Sequence, residues 1–290
     1  MSNVTVAVVG AGTMGSGIAT VTARAGMTTL LCDRDHASVE RGLKTVKDFL
    51  ERGAARGKLS ETDAADASAR VSGVIELGAL GGADVAIEAI HEDLPAKQQL
   101  LADLDEILKP EALVHTNTST LSVTSIAAGS RRPGRVVGTH YCNPAALMKL
   151  VEVVRGQVCD ERAFERTVAF VRNLGKVPVV TKDLPGFIVN RFLIPWENSV
   201  IRALEDGMGT VESIDRAVKA GLGHPMGPFE LLDIVGMDIH KEVSLRLYEQ
   251  IHEPRFAPPP LVDRMIAAGT LGRKTSRGFY SYDNDRLFGS

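Results

Sequence analysis

Cysteine is scarce: Cys32, Cys142 and Cys159 are the three in 290 residues, and they stand far apart. No Cys-x-x-Cys pair and no His/Cys cluster has metal-ligand spacing, so no structural metal is expected and the usage fits a reducing compartment. Long apolar runs are missing, which argues against a bilayer-spanning segment. The N-terminus shows neither a charged-then-apolar leader nor an Arg-rich transit stretch, and a cytoplasmic setting is the expectation. There is no basic excess either. A net charge of −3 argues against a nucleic-acid partner, although a local basic patch for a small anion stays open. Gly-Lys-Ser/Thr is absent, which rules out a Walker-type phosphate loop. There is no internal repeat and no low-complexity run.

The chain does have the composition of a globular protein. It is 44% apolar and 24% charged, long enough for one large domain or two modest ones. Residues 4–9 are a valine-rich run of the kind that becomes a buried parallel strand. The run enters Gly10-Ala11-Gly12-Thr13-Met14-Gly15, then a helical pattern through Ile18, Val21, Thr22 and Ala25, then a second strand over 28–32 that ends at Asp33. Strand, Gly-x-Gly-x-x-Gly, helix, strand and acid in this order point to dinucleotide binding. Gly10 allows the tight turn, Gly12 lets the backbone approach a pyrophosphate, and Gly15 lets the helix pack close to the strand. The helix N-terminus adds N–H donors and partial positive charge. Asp33 would take the adenosine ribose hydroxyls and repel a 2′-phosphate, so NAD is expected ahead of NADP; Arg34 tempers that preference. A glycine-rich turn in another nucleotide or S-adenosylmethionine fold stays open here.

Residues 36–58 read as a long helix carrying Arg41, Lys44, Lys47, Arg52, Arg56 and Lys58. A solvated basic face is its plain reading, and a patch for a large anionic ligand the alternative. Strands at 71–75, 84–89, 113–116, 136–140, 150–154 and 176–180 then alternate with helices at 60–69, 92–108, 122–127 and 161–174. This predicts an α/β fold with an open, doubly wound, mostly parallel sheet that binds ligands at strand carboxyl ends. Ser119, in the Asn117-Thr118-Ser119-Thr120 loop, is either part of a helix cap or a substrate contact. Past Asp183-Leu184-Pro185-Gly186 strand signals largely stop, and 187–204, 211–220, 228–235, 238–251 and 260–268 read as helices. The expected division is an α/β domain over 1–183 and an all-helical domain over 184–290. Asn190 lies on an apolar face of the first of these helices, either partnered or exposed.

Residues 138–154 hold the most chemistry. His140 closes one strand, and Glu152 sits in the next among Leu150, Val151, Val153 and Val154. A buried carboxylate there would cost several kcal/mol unless paired, and a histidine is a suitable partner. Alternatively Glu152 faces water. These residues alone leave both open.

Taken together, the motifs resemble the 3-hydroxyacyl-CoA dehydrogenase family, in particular its stand-alone bacterial 3-hydroxybutyryl-CoA branch. The resemblance rests on Gly-Ala-Gly-Thr-Met-Gly at 10–15, Asn-Thr-Ser at 117–119, His-Tyr-Cys-Asn-Pro at 140–144, Met-Lys-Leu-Val-Glu-Val at 148–153, Pro-Gly-Phe-Ile-Val-Asn-Arg at 185–191, His-Pro-Met-Gly-Pro-Phe-Glu-Leu at 224–231, and Gly-Arg-Lys-Thr with Gly-Phe-Tyr within 272–280. It implies a Rossmann-type NAD-binding domain followed by an all-α substrate and dimerisation domain, an acyl-CoA substrate, a homodimer, a place in fatty-acid metabolism, and no metal. By resemblance His140 is the general base and Glu152 its orienting carboxylate, while Ser119 and Asn190 hold the substrate oxygen and thioester region. Gly10, Gly12, Thr13, Met14, Gly15 and Asp33 hold NAD; Glu92 and Asn143 line its nicotinamide side, with Lys97 and Lys274 nearby. Lys47, Arg56 and Lys58 fall where the family handles the CoA nucleotide. The family pattern has two phenylalanines after the histidine, where this chain has Tyr141 and Cys142, and Val-Pro where it has Ala145-Ala146. The departure bears on the acyl pocket. Two rivals remain: a same-fold dehydrogenase of a free hydroxy acid, of carnitine or gulonate type, and a non-catalytic dinucleotide-binding protein. Met148-Lys149-Leu150 and the basic helix favour CoA over the first. The presence of all four of Ser119, His140, Glu152 and Asn190 speaks against the second.

Asp33 yields the first prediction: kcat/KM should be higher with NADH than with NADPH. A preference for NADPH in steady-state assays would overturn it.

Overall fold

The computed structural model describes residues 4–282. In chain order the first elements are β1 (Thr5–Val9), α1 (Thr13–Arg24), β2 (Thr28–Cys32), α2 (His36–Ala55), α3 (Glu61–Ala69), β3 (Val71–Val74), β4 (Val85–Glu88), α4 (Leu94–Ile107), β5 (Leu113–Thr116), α5 (Val123–Ala127), β6 (Val136–Tyr141), β7 (Leu150–Arg155), α6 (Glu161–Asn173) and β8 (Val177–Lys182). The helices begin where short polar side chains can accept from freed N–H groups: Asp35 caps α2, Ser60 caps α3, Asp93 caps α4 and Ser122 caps α5.

The strands form one eight-stranded sheet in the order β3-β2-β1-β4-β5-β6-β7-β8. Every neighbouring pair is parallel except β6 and β7. Strand side chains alternate between faces, and each face has its own apolar layer. Val6, Val8, Leu31, Ile87, Val137 and Val153 pack with Ile18 of α1 and Phe164 of α6. Ala7, Val9, Ala86, Val114 and Val136 pack with Leu101 and Leu104 of α4 and Ile126 of α5. The chain order reverses between β1 and β4, the kind of switch point at which doubly wound sheets bind ligands.

The chain divides into two compact units, one up to Phe187 and one from Ile188. Residues 183–187 belong to the first unit for a physical reason. The Asp183 carboxylate accepts from Ser122 Oγ (2.8 Å) and from the backbone N–H groups of Val123 (2.9 Å) and Thr124 (2.7 Å), so it caps α5 from 60 residues away. Phe187 packs against Val123 and Val154.

The second unit contains α7 (Val189–Glu205), α8 (Val211–Leu222), α9 (Pro228–Val235), α10 (Met237–Ile251) and α11 (Pro260–Ala267). Its core includes Ile201, Phe229, Leu232, Met237 and Val262. Two buried carboxylates tie it together. Asp215 accepts from the Phe229 and Glu230 amides at the start of α9, and Asp233 accepts from the amides of Phe279 and Tyr280.

Tyr141 follows His140 on β6 and therefore points to the opposite face, into the layer beside Ala145 and Val151. Of the two departures beside the histidine, Cys142, just past the end of β6, is half-buried, and Tyr141 is a core residue. Its side chain is fully buried, and its hydroxyl has no partner among the described residues. An unsatisfied buried hydroxyl costs about 1–3 kcal/mol. Tyr141→Phe should therefore raise the unfolding midpoint by a few degrees. A lower midpoint by calorimetry would show that the hydroxyl is used.

Candidate active site

Two places at the carboxyl ends of the strands carry chemistry. The first is the crevice at β1, β2 and β4. Gly10 has φ +106°, and a Cβ there would lie 2.4 Å from the Ala89 carbonyl oxygen; a Cβ on Gly15 would lie 1.6 Å from the Gly10 oxygen. Both glycines are thus required by packing. Gly12, the residue before α1, is different: its backbone is extended (φ −72°), and a Cβ would meet nothing within 4 Å. Only a ligand approaching from outside needs that bareness, which is what a pyrophosphate at the α1 N-terminus demands. Asp33 closes the crevice, with its carboxylate held by the backbone N–H groups of Ala11 and Arg34, both at 2.7 Å. A carboxylate has capacity for further donors, so both ribose hydroxyls can be accommodated. Gly10, Gly12, Asp33, Arg34, Ile90 and His91 line a cavity of about 610 Å³. These residues fit a dinucleotide.

The second place is on β6 and β7. Their antiparallel register sets His140 directly opposite Glu152. Nδ1 of His140 lies 2.7 Å from Oε2 of Glu152; Glu152 is wholly buried and His140 is 7% exposed. An ionised carboxylate only accepts, so Nδ1 carries the proton, and Nε2 is left with the lone pair that a base needs. The Phe187 ring stands 5.7 Å from the imidazole. Cys142 is close enough for electrostatics to register: burial first, and then the Glu152 charge, push its thiol up to about 11. The other strand histidine shows the contrast. His115 on β5 is fully buried with one ring nitrogen 3.0 Å from Thr167 Oγ1, and burial, aided by Arg166, lowers its pKa to about 3. It is a neutral core residue.

The Ser119 loop lies between these two places and is fastened to both sides. Oε1 of Glu92 accepts from Thr118 Oγ1 (2.5 Å), the Ser119 N–H (2.9 Å) and the Thr120 N–H (3.0 Å). Oδ1 of Asn117 accepts from the Tyr141 N–H at 3.0 Å, which ties the loop to the end of β6. Burial alone would raise the Glu92 carboxyl. The Lys97 ammonium, the Thr118 hydroxyl and the two amides outweigh it and hold the group below its ordinary value. Lys97 is 1% exposed, and its Nζ lies 2.6 Å from Glu88 and 3.2 Å from Glu92. Its placement thus explains charge balance before it explains any contact with dinucleotide.

The remaining expected residues scatter. Thr13 and Met14 open α1 beside the glycines. Asn143 is exposed after β6. Asn190 is half-buried in the first turn of α7, and Lys274 pairs with Asp238; both belong to the second unit. On α2 the basic stripe is partly self-neutralised, with Lys44 at 2.6 Å from Asp48 and Lys47 at 3.8 Å from Glu51. Lys47 also lines a groove between α2 and α3, whereas Arg56 and Lys58 lie past the end of α2. The sequence reading missed Glu88 and Asn117 as members of the site. Asn117 was signalled by its place in the Asn-Thr-Ser motif; Glu88, at the end of an apolar strand, carried the same warning as Glu152.

The doubly wound sheet with its dinucleotide crevice is that of an NAD-dependent dehydrogenase. The chain belongs to the 3-hydroxyacyl-CoA dehydrogenase family. The profile for "3-hydroxyacyl-CoA dehydrogenase, NAD binding domain" matches residues 5–184, and that for "3-hydroxyacyl-CoA dehydrogenase, C-terminal domain" matches 186–282. The chain is 42% identical over 279 residues to a 3-hydroxybutyryl-CoA dehydrogenase of Mycobacterium tuberculosis, covering 96% of this chain and 98% of that one. It is 39% identical to the mitochondrial hydroxyacyl-coenzyme A dehydrogenase of Rattus norvegicus, covering 96% and 90%. The crystal structure of (S)-3-hydroxybutyryl-CoA dehydrogenase from Ralstonia eutropha aligns with a TM-score of 0.90 at 39% identity, over 97% of this chain and 99% of that one.

Glu152→Gln keeps the shape and a hydrogen-bond acceptor for Nδ1 but removes the charge. It should lower turnover by roughly 10²-fold, the lower end of what a positioned proton transfer contributes, while NADH affinity measured by fluorescence titration stays unchanged. Wild-type turnover in this variant would dissolve the functional pairing.

Proposed function

We propose that the chain catalyses the reversible NAD-dependent oxidation of an L-3-hydroxyacyl-CoA to the 3-oxoacyl-CoA, with four-carbon chains among its substrates. The observation that carries the assignment of residues is the buried His140–Glu152 pair at 2.7 Å. NAD, when bound, supplies the hydride acceptor. Gly10, Gly12, Gly15 and Asp33 hold it along the crevice. Nε2 of His140 takes the proton of the 3-hydroxyl, and Glu152 stabilises the imidazolium that results. Ser119 and Asn190 donate to the substrate oxygen and favour negative charge developing there in the reductive direction. Asn143, Glu92, Lys97 and Lys274 belong to the nicotinamide side. Lys47, Arg56 and Lys58 are the cations proposed for the CoA nucleotide.

A homodimer through the second unit is part of the same reading. Its support is the exposure of Phe192, Met208 and Leu222, three large apolar side chains of that unit.

The deciding experiment is a steady-state assay with acetoacetyl-CoA and NADH, set beside free 3-hydroxy acids with NAD. Turnover of acetoacetyl-CoA is expected, and turnover confined to free acids would refute the reading. Within it, Cys142→Phe adds volume two residues from the base and should shift the kcat/KM profile over C4 to C10 acyl-CoAs toward shorter chains; an unchanged profile would remove Cys142 from the pocket.

A further inference from the structure

We propose that Glu88 is a positioning residue that sets Glu92, and through it the Ser119 loop, by holding the Lys97 ammonium between two carboxylates. The inference rests on the reaction assigned above only for its kinetic consequence. Glu88 ends β4 and has no exposed surface. Its Oε1 accepts from Lys97 Nζ at 2.6 Å and from the Ile90 N–H at 2.8 Å, and its Oε2 accepts from Thr116 Oγ1 at 2.6 Å. Lys97 then reaches Oε2 of Glu92 at 3.2 Å, and the other Glu92 oxygen receives the Ser119 and Thr120 amides.

Two features separate this arrangement from ordinary packing. The sheet does not need the carboxylate, because the β4–β5 junction is already closed by the Asn117 N–H donating to the Glu88 carbonyl at 2.9 Å. Moreover, Lys97 stands in the first turn of α4, whose N-cap is Asp93. A cation near a helix N-terminus opposes the helix dipole, and a buried one is costly unless paired. The ammonium is held there against both penalties by the two carboxylates. With Glu88 fixed by Thr116 and Ile90, Lys97 cannot follow Glu92; Glu92 is therefore stationed at a set distance from β4, with Oε1 directed at the loop.

Glu88→Gln keeps the volume and deletes the charge. Lys97 and Glu92 should then draw together, and Oε1 should loosen from the loop amides. In ¹⁵N-resolved spectra of the intact, ligand-free protein, the Ser119 and Thr120 amide protons should move upfield as these charge-assisted bonds weaken, and should move less in Glu88→Asp. At saturating NADH and acetoacetyl-CoA, kcat should fall roughly 10- to 10²-fold, the cost of a misplacement approaching 1 Å, with KM changing less. Unmoved Ser119 and Thr120 resonances in folded Glu88→Gln overturn the proposal whatever the activity. If that variant does not fold, Thr116→Val removes one anchor and leaves the charge. The same two resonances must then move upfield, or the proposal fails. A wild-type chain inert toward acetoacetyl-CoA would defeat the reaction assigned above, while the amide shifts would still decide the role of Glu88.

Discussion

A carboxylate with no exposed surface is held on β7 by an imidazole on the neighbouring strand. Burying Glu152 as an anion would cost several kcal/mol on its own, and the bond from His140 Nδ1 offsets that cost. The bond exists because β6 and β7 run antiparallel in a register that sets the two residues opposite each other. A slip of one residue would turn Glu152 into the apolar layer under α1 and α6 and present a valine to His140. The one antiparallel pairing of the sheet, the tautomer of His140 and the polarity of the α4–α5 face are therefore a single constraint.

The same alternation organises the neighbouring strands. Glu88 on β4 and Thr116 on β5 face the α4–α5 side, in register with each other, and His140 and Glu152 continue that side on β6 and β7. Polar side chains thus gather on one face of four adjacent strands, opposite the face on which His115 of β5 meets Thr167. Backbone pairing fixes the row, so the Ser119 loop can be held by hydrogen bonds to Glu92 and Asn117 instead of by packing.

Much of this was legible in the sequence because its causes are local. Valine-rich runs, helix caps, the glycine loop and Asp33 each act within a few residues, and the strands and helices lie close to where those signals place them. Charge compensation was not legible, because its partners are distant in the chain. Asp183 marks the expected domain boundary, and nothing near it in the sequence announces that its carboxylate caps α5; the burial of Lys97 between Glu88 and Glu92 is equally silent there. Tyr141 and Cys142 look like one substitution beside His140. Strand alternation separates them, since adjacent residues face opposite layers. The basic stripe of α2 carried its own qualification in Asp48 and Glu51, each four residues after a lysine.

The connection over 142–149 joins the strand bearing His140 to the strand bearing Glu152. Several of its residues, Asn143, Leu147 and Met148 among them, are exposed. It lies on β6 and β7, whereas the dinucleotide crevice is built by β1, β2 and β4. Both ends of this loop are clamped by the cross-strand pair, so its tip can vary without shifting either partner. The architecture is in this sense modular. The segment between His140 and Glu152 and the crevice closed by Asp33 are thus held by different strands of one sheet.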